Sequence, residues 1–212
     1  MPSFFSYTDG ELSFTRNIAM RSDHIIFAGA NLSSGRKPVT FTALDMDLQV
    51  ITLANWSINE ALACLKKYPE VLLTVNSPDR KATVVKSIDF KHELEHAGFM
   101  FMAEDGPHRW IETDSQKCFQ ALCEKDLLPR RTLEGRIQRD LILYHEGVQI
   151  DDPMNFFEEI TRHKLMHGIL PLENLHSSKE LDALVAAYVA WRAVQHASLV
   201  NITGNVILPV RE

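Results

Sequence analysis

His24-Ile25-Ile26-Phe27-Ala28-Gly29-Ala30, Val39-Thr40-Phe41-Thr42-Ala43-Leu44 and Gln49-Val50-Ile51-Thr52-Leu53 are the three runs on which the reading of this fold turns. The first is short and apolar throughout, which suits a strand buried on both faces. The other two alternate or are rich in β-branched residues, the pattern of strands with one face packed. A Ser- and Gly-rich turn from Asn31 to Lys37 separates the first from the second, and Asp45-Met46-Asp47 separates the second from the third. Links this short join antiparallel neighbours, so the spacing predicts a three-stranded meander.

Beyond the meander, Ile58, Ala61, Leu62 and Leu65 fall on one helical face, with Glu60, Lys66 and Lys67 opposite. Ser57 and Glu60 fit a capping box at its start. Val71-Leu72-Leu73-Thr74-Val75 reads as a fourth strand; because a helix leads to it, it is free to lie parallel to an earlier one. Residues 79–107 show no clear period. Arg109-Trp110-Ile111-Glu112-Thr113 reads as a short fifth strand, and helices are expected over 116–124, 132–145 and 154–167. The last helix starts at Ser177, where Ser177 and Glu180 form a second capping box. From Ala183 to Trp191 its single polar side-chain group is the Tyr188 hydroxyl, and a helix apolar all round is packed on most sides. The order β-β-β-α-β, a further strand and then helices predicts an α/β protein with a three-layer mixed sheet. Residues 1–22 read as an N-terminal extension, either a small hairpin about Asp9-Gly10 or a loose lead, and 23–212 as the domain.

At 212 residues the chain suits one domain with a full core. Its net charge of −6 gives no general attraction to nucleic acid, so such a partner would need a local basic patch. The one basic concentration is Arg130, Arg131, Arg136 and Arg139. Arg136 and Arg139 share a helical face and either grip phosphates or pair with Glu134 and Asp140. Cys64, Cys118 and Cys123 are odd in number and lack metal spacing, so they read as reduced thiols. No apolar run reaches membrane-spanning length and the start lacks the order of a signal peptide, which makes the cytoplasm the expected location.

Four oxygen-bearing residues stand at comparable places: Asn31 after the first strand, Asn76 after the fourth, Glu112 in or just after the fifth, and Asp182 at the head of the buried helix. Strand ends under helices are where ligands gather, and such a set suits a hard divalent cation. The plainer alternative is that polar residues simply end strands and that Asp182 complements the helix dipole. His92-Glu93-Leu94-Glu95-His96 matches H-E-x-x-H, a zinc-site pattern on a helix. Lys91 and Glu95 make a solvated face the better account of it. His163 and His167 are also four apart, in a basic turn where cations suit a helix end.

Several motifs together resemble the DUF429 family of predicted RNase H-like nucleases. They are Phe27-Ala28-Gly29-Ala30-Asn31 with Gly35-Arg36-Lys37-Pro38, then Val75-Asn76-Ser77-Pro78, then Trp110-Ile111-Glu112-Thr113. Thr132-Leu133-Glu134-Gly135-Arg136-Ile137-Gln138-Arg139 and Leu181-Asp182-Ala183-Leu184-Val185-Ala186-Ala187 carry the strongest likeness. The resemblance implies an RNase H-like fold and a nuclease or phosphodiester hydrolase dependent on Mg²⁺ or Mn²⁺. It places Asn31, Asn76, Glu112 and Asp182 in the catalytic positions, with Glu112 and Asp182 as metal ligands; the basic concentration, apart from the resemblance, makes Arg131, Arg136 and Arg139 the candidates to meet nucleic acid. Enzymes of this fold hold two metals between acidic side chains. Asn31 stands where the family's first acid would be, and Thr113-Asp114-Ser115 follows Glu112 in place of the family's Pro, so that Asp114 is a candidate displaced carboxylate. The site is therefore expected to be degenerate and weakly active. The alternatives are a non-catalytic binding module of the same fold and, third, a zinc hydrolase using His92 and His96.

Overall fold

The computed structural model describes residues 25–32, 38–76, 81–102, 106–123 and 125–211, leaving aside the side chains of 81–88 and 173. The extension with its expected hairpin, and most of the turn after the first strand, lie outside the described residues. The meander forms as its pattern predicts: β1 (Ile25–Asn31), β2 (Val39–Leu44) and β3 (Val50–Trp56), each antiparallel to the next. Helix α1 (Ile58–Leu65) starts at the capping box, where Ser57 accepts from the Glu60 amide and the Glu60 carboxylate accepts from Ser57. It carries the chain back to β4 (Glu70–Asn76), which pairs parallel with β1.

The stretch without a clear period contains α2 (Lys81–His96) and the two-residue β5 (Met100–Phe101). Strand β6 (His108–Thr113) follows, then α3 (Ser115–Leu122), α4 (Leu133–His145), α5 (Asn155–His167) and α6 (Ser178–Gln195). A closing hairpin of β7 (Val200–Thr203) and β8 (Val206–Pro209) turns at Gly204, whose φ of +61° suits a residue without a Cβ. The strand order is β3-β2-β1-β4-β6-β8-β7, with β5 also paired to β6. β1, β4, β6 and β8 run parallel, and β2 and β7 run against their neighbours.

Strand periodicity sorts the side chains into two faces. Ile26, Ala28, Ala30, Val71, Leu73, Val75 and Trp110 pack under α1 and α2, against Ala61, Leu62, Leu65, Phe90 and Leu94. Ile25, Phe27, Leu72 and Ile111 pack on the other face against α3, α4 and α6. Helices on both faces of one mixed sheet make the layered α/β architecture.

The buried helix α6 lies on β1 and very close to it. A Cβ on Gly29 would sit 2.0 Å from the Ala183 carbonyl oxygen and 2.6 Å from the Ala187 amide nitrogen. Ala183, Ala187 and Ala190, at i, i+4 and i+7, supply the shallow helix face that this approach needs, and all three are fully buried. This contact fixes the start of α6 beside the carboxyl ends of β1 and β4.

Candidate functional site

At those strand ends the register places Asn31 opposite Asn76, and Asn76 opposite Thr113. The two asparagines are 4% and 1% exposed, so their polar atoms need partners inside the protein. Those partners form a run of three hydrogen bonds. The Ser115 amide at the start of α3 donates to Asn76 Oδ1 at 2.9 Å, Asn76 Nδ2 donates to Asn31 Oδ1 at 2.9 Å, and Asn31 Nδ2 donates to the Lys179 carbonyl in α6 at 3.3 Å. A donor at one end and an acceptor at the other allow each amide one orientation. The ladder joins two strands to two helix beginnings and satisfies an amide that helix geometry leaves without a partner.

Asp182, 2% exposed, lies on α6 three residues beyond Lys179. Its carboxylate accepts from the Arg130 guanidinium, which also donates to the Ser178 carbonyl at 3.3 Å, while Ser178 Oγ donates back to the Arg130 carbonyl at 2.9 Å. Arg130 thus stands as a cation at the buried acid.

Glu112 does not join this group. It shares a sheet row with Val75, not with Asn76, so alternation turns it to the α1–α2 face. There it pairs with Lys91 Nζ of α2 at 2.6 Å, and Lys91 also lies 5.8 Å above the Trp110 ring. The expected convergence of four ligands is corrected: Asn31, Asn76 and Asp182 belong to the α6 face, and Thr113 occupies the row where a third ligand was expected. The Thr113 hydroxyl donates to the Ile207 carbonyl of β8 at 2.7 Å. Asp114, the candidate displaced carboxylate, caps α3 by accepting from the Gln116 and Lys117 amides at 3.0 and 3.2 Å.

These residues do not fit the two-metal centre that the resemblance implies. Two amides already bonded to each other offer no charge, one acid holds an arginine, and the other lies across the sheet. Among the described residues no group of three or more His, Cys, Asp or Glu is placed to hold a metal ion. The H-E-x-x-H helix presents His92 and His96 to solvent, their rings stacked at 4.4 Å.

The arginines expected to meet nucleic acid also differ from that reading. Arg139 is 1% exposed and donates to the Leu128 and Gly135 carbonyls at 3.1 and 2.7 Å and to Gln116 at 3.2 Å. Arg136 donates to the carbonyls of His176, Leu172 and Leu175 at 2.8, 3.2 and 2.6 Å, which clamps the turn before α6. Arg131 stays exposed at the approach to α4. A guanidinium with five donors gathers free carbonyls as readily as phosphates, and here the carbonyls are nearer. Arg136→Ala should cost about 2 kcal/mol of stability through the lost charge-assisted bonds, and Arg131→Ala should stay within about 0.5 kcal/mol. Urea unfolding of both variants checks this; equal costs would show that Arg136 is not a clamp.

One pairing had no signal in the sequence. His176, in the turn before α6, places Nδ1 2.6 Å from Oδ1 of Asp140 on α4. Burial pushes the Asp140 carboxyl up, against the lowering effect of His176. Burial alone would lower His176, but its bond to Asp140 and the charges of Asp140, Glu180 and Asp151 outweigh this and raise it. Thirty-six residues separate the two partners, and neither carries a motif.

Compared with known families and curated proteins, the chain matches no family model and no curated protein.

Proposed function

We propose that this chain is a binding module of RNase H-like fold in which internal bonds stand at the strand ends in place of metal ligation. The fold part of the reading is supported by the meander, the helix and the parallel fourth strand beside β1, which give the β-β-β-α-β core that the motif resemblance implies. The observation that carries the functional part is the Asn31–Asn76 amide bridge, closed at one end by the Ser115 amide and at the other by the Lys179 carbonyl. Two carboxylates in those places would need a cation between them; two amides need none. Arg130 on Asp182 and Lys91 on Glu112 neutralise the remaining acids in the same way. A nuclease of the implied type would have to break both ion pairs before collecting Mg²⁺ or Mn²⁺, and that cost weighs against hydrolysis.

Asn31→Asp tests the reading. The substitution restores the acid of the motif but replaces the donor facing the Lys179 carbonyl with a second acceptor. It should lower stability by about 1–3 kcal/mol, and calorimetric titration should show no gain in Mn²⁺ affinity. A stable variant that binds Mn²⁺ several-fold more tightly than the unmodified chain would return the strand ends to metal chemistry.

A further inference from the structure

More than half of the large hydrophobic side chains that stand exposed among the described residues fall between Met154 and Leu172. They include Leu165, Met166 and Ile169, at 81%, 74% and 61% exposure. Single exposed apolar residues are ordinary; a concentration of them marks a contact surface. Helix α5 accounts for the arrangement. Its inner side is held by Phe156 and Ile160, which pack with Ile137 and Leu175. Met154, Phe157, Thr161 and Leu165 recur at i, i+3, i+7 and i+11, so they share a different face of the same helix, and all four are exposed. Gly168 ends the helix at a φ of +70°, and Ile169 and Leu170 carry apolar surface past its end.

Charge decides what the open face fits. The first half of α5 carries Glu158 and Glu159, and the second half carries Arg162 and Lys164 with His163 and His167. Arg162 meets Glu158 and Glu159 on its own helix at 3.0 and 3.4 Å, in exposed contacts that hold little. A lipid surface or a nucleic acid favours basic charge along the whole helix. A division into an acidic and a basic half is complementary to itself. Turned about a two-fold axis, each half meets the opposite half of an identical helix. With that axis at Thr161, Phe157 of one copy stands opposite Leu165 of the other, so one operation matches both the charges and the apolar stripe.

We propose that this face joins two copies of the chain through an antiparallel pair of α5 helices. The stripe forms the seam, and Glu158 and Glu159 lie toward Arg162 and Lys164 of the second copy. A helix of 13 residues is about 20 Å long. The seam is therefore small, and a dissociation constant of about 1–100 µM is expected. This interface is separate from the strand ends and does not depend on the reading given for them.

Sedimentation equilibrium of the full chain over a concentration series tests the assignment. The expected result is a monomer–dimer equilibrium. Leu165→Glu should weaken it about tenfold or more. Val210→Glu, which puts the same charge on an exposed apolar residue just after β8, should leave it unchanged. Glu158→Lys/Glu159→Lys and Arg162→Glu/Lys164→Glu should each weaken self-association, and an equimolar mixture of these two variants should recover a dimer. A chain that stays monomeric up to about 1 mM, a dimer that Leu165→Glu leaves intact, or a mixture that fails to associate would overturn the proposal. A monomer that binds phosphatidylglycerol vesicles, and no longer does so with Leu165→Glu, would overturn it in favour of a lipid surface.

Discussion

Gly29→Ala is expected to lower Tm by about 6–12 °C, from a cost of about 3 kcal/mol. The added Cβ would fall 2.0 Å from the Ala183 carbonyl oxygen and 2.6 Å from the Ala187 amide nitrogen. Both obstacles are backbone atoms of α6, so no side-chain rotation relieves them; the helix must lift from β1. Lifting it separates the Lys179 carbonyl from Asn31 and loosens the largest apolar cluster, in which α6 is the main component. Thermal unfolding followed by circular dichroism checks this. A Tm within about 2 °C of the unmodified protein would show that the close approach is not the contact that seats α6.

Arg130→Ala should also be costly, because it leaves the Asp182 carboxylate, 2% exposed, without its cation. A fully buried pair broken this way costs about 3–5 kcal/mol. Arg130 keeps a third of its side chain in solvent, so water can replace part of its charge, and about 2–3 kcal/mol is expected. The second substitution gives the argument its force. Adding Asp182→Asn removes the unpaired charge and should recover more than half of the loss, a coupling that a double-mutant cycle reads directly. Additive losses would mean that Arg130 acts through contacts other than its pairing with Asp182, such as its bond to the Ser178 carbonyl.

The parts of this fold legible in the sequence are those whose signals are local. Ile25–Asn31 and Glu70–Asn76 are apolar runs of strand length, and Ser57 with Glu60 and Ser177 with Glu180 mark helix starts within four residues. The closing hairpin was less visible because its two strands are four residues each, although Gly204-Asn205 between Val200–Thr203 and Val206–Pro209 is a turn signal. Helix Lys81–His96 hid behind charges interspersed among its apolar positions, of which Phe90 and Leu94 face the core.

Site residues were harder for a different reason. A polar residue at the end of a strand shows where the strand stops, not which face it takes; one residue of register separates Glu112 from the row of Asn31 and Asn76. Partners distant in sequence carry no local signal at all. Arg130 lies 52 residues from Asp182, and the sequence presented it as part of a basic cluster. The cluster dispersed because Arg136 and Arg139 had carbonyls and Gln116 within reach once α4 had packed.

The most direct test of the central claim is phosphodiester cleavage by the unmodified chain, with labelled single-stranded, duplex and hybrid substrates in Mg²⁺ and in Mn²⁺, beside Asp182→Asn. The account predicts no metal-dependent cleavage and no difference between the two proteins, because Asp182 is held by Arg130 and the amide bridge offers no charge to a metal. Cleavage that requires Mg²⁺ or Mn²⁺ and disappears in Asp182→Asn would contradict it.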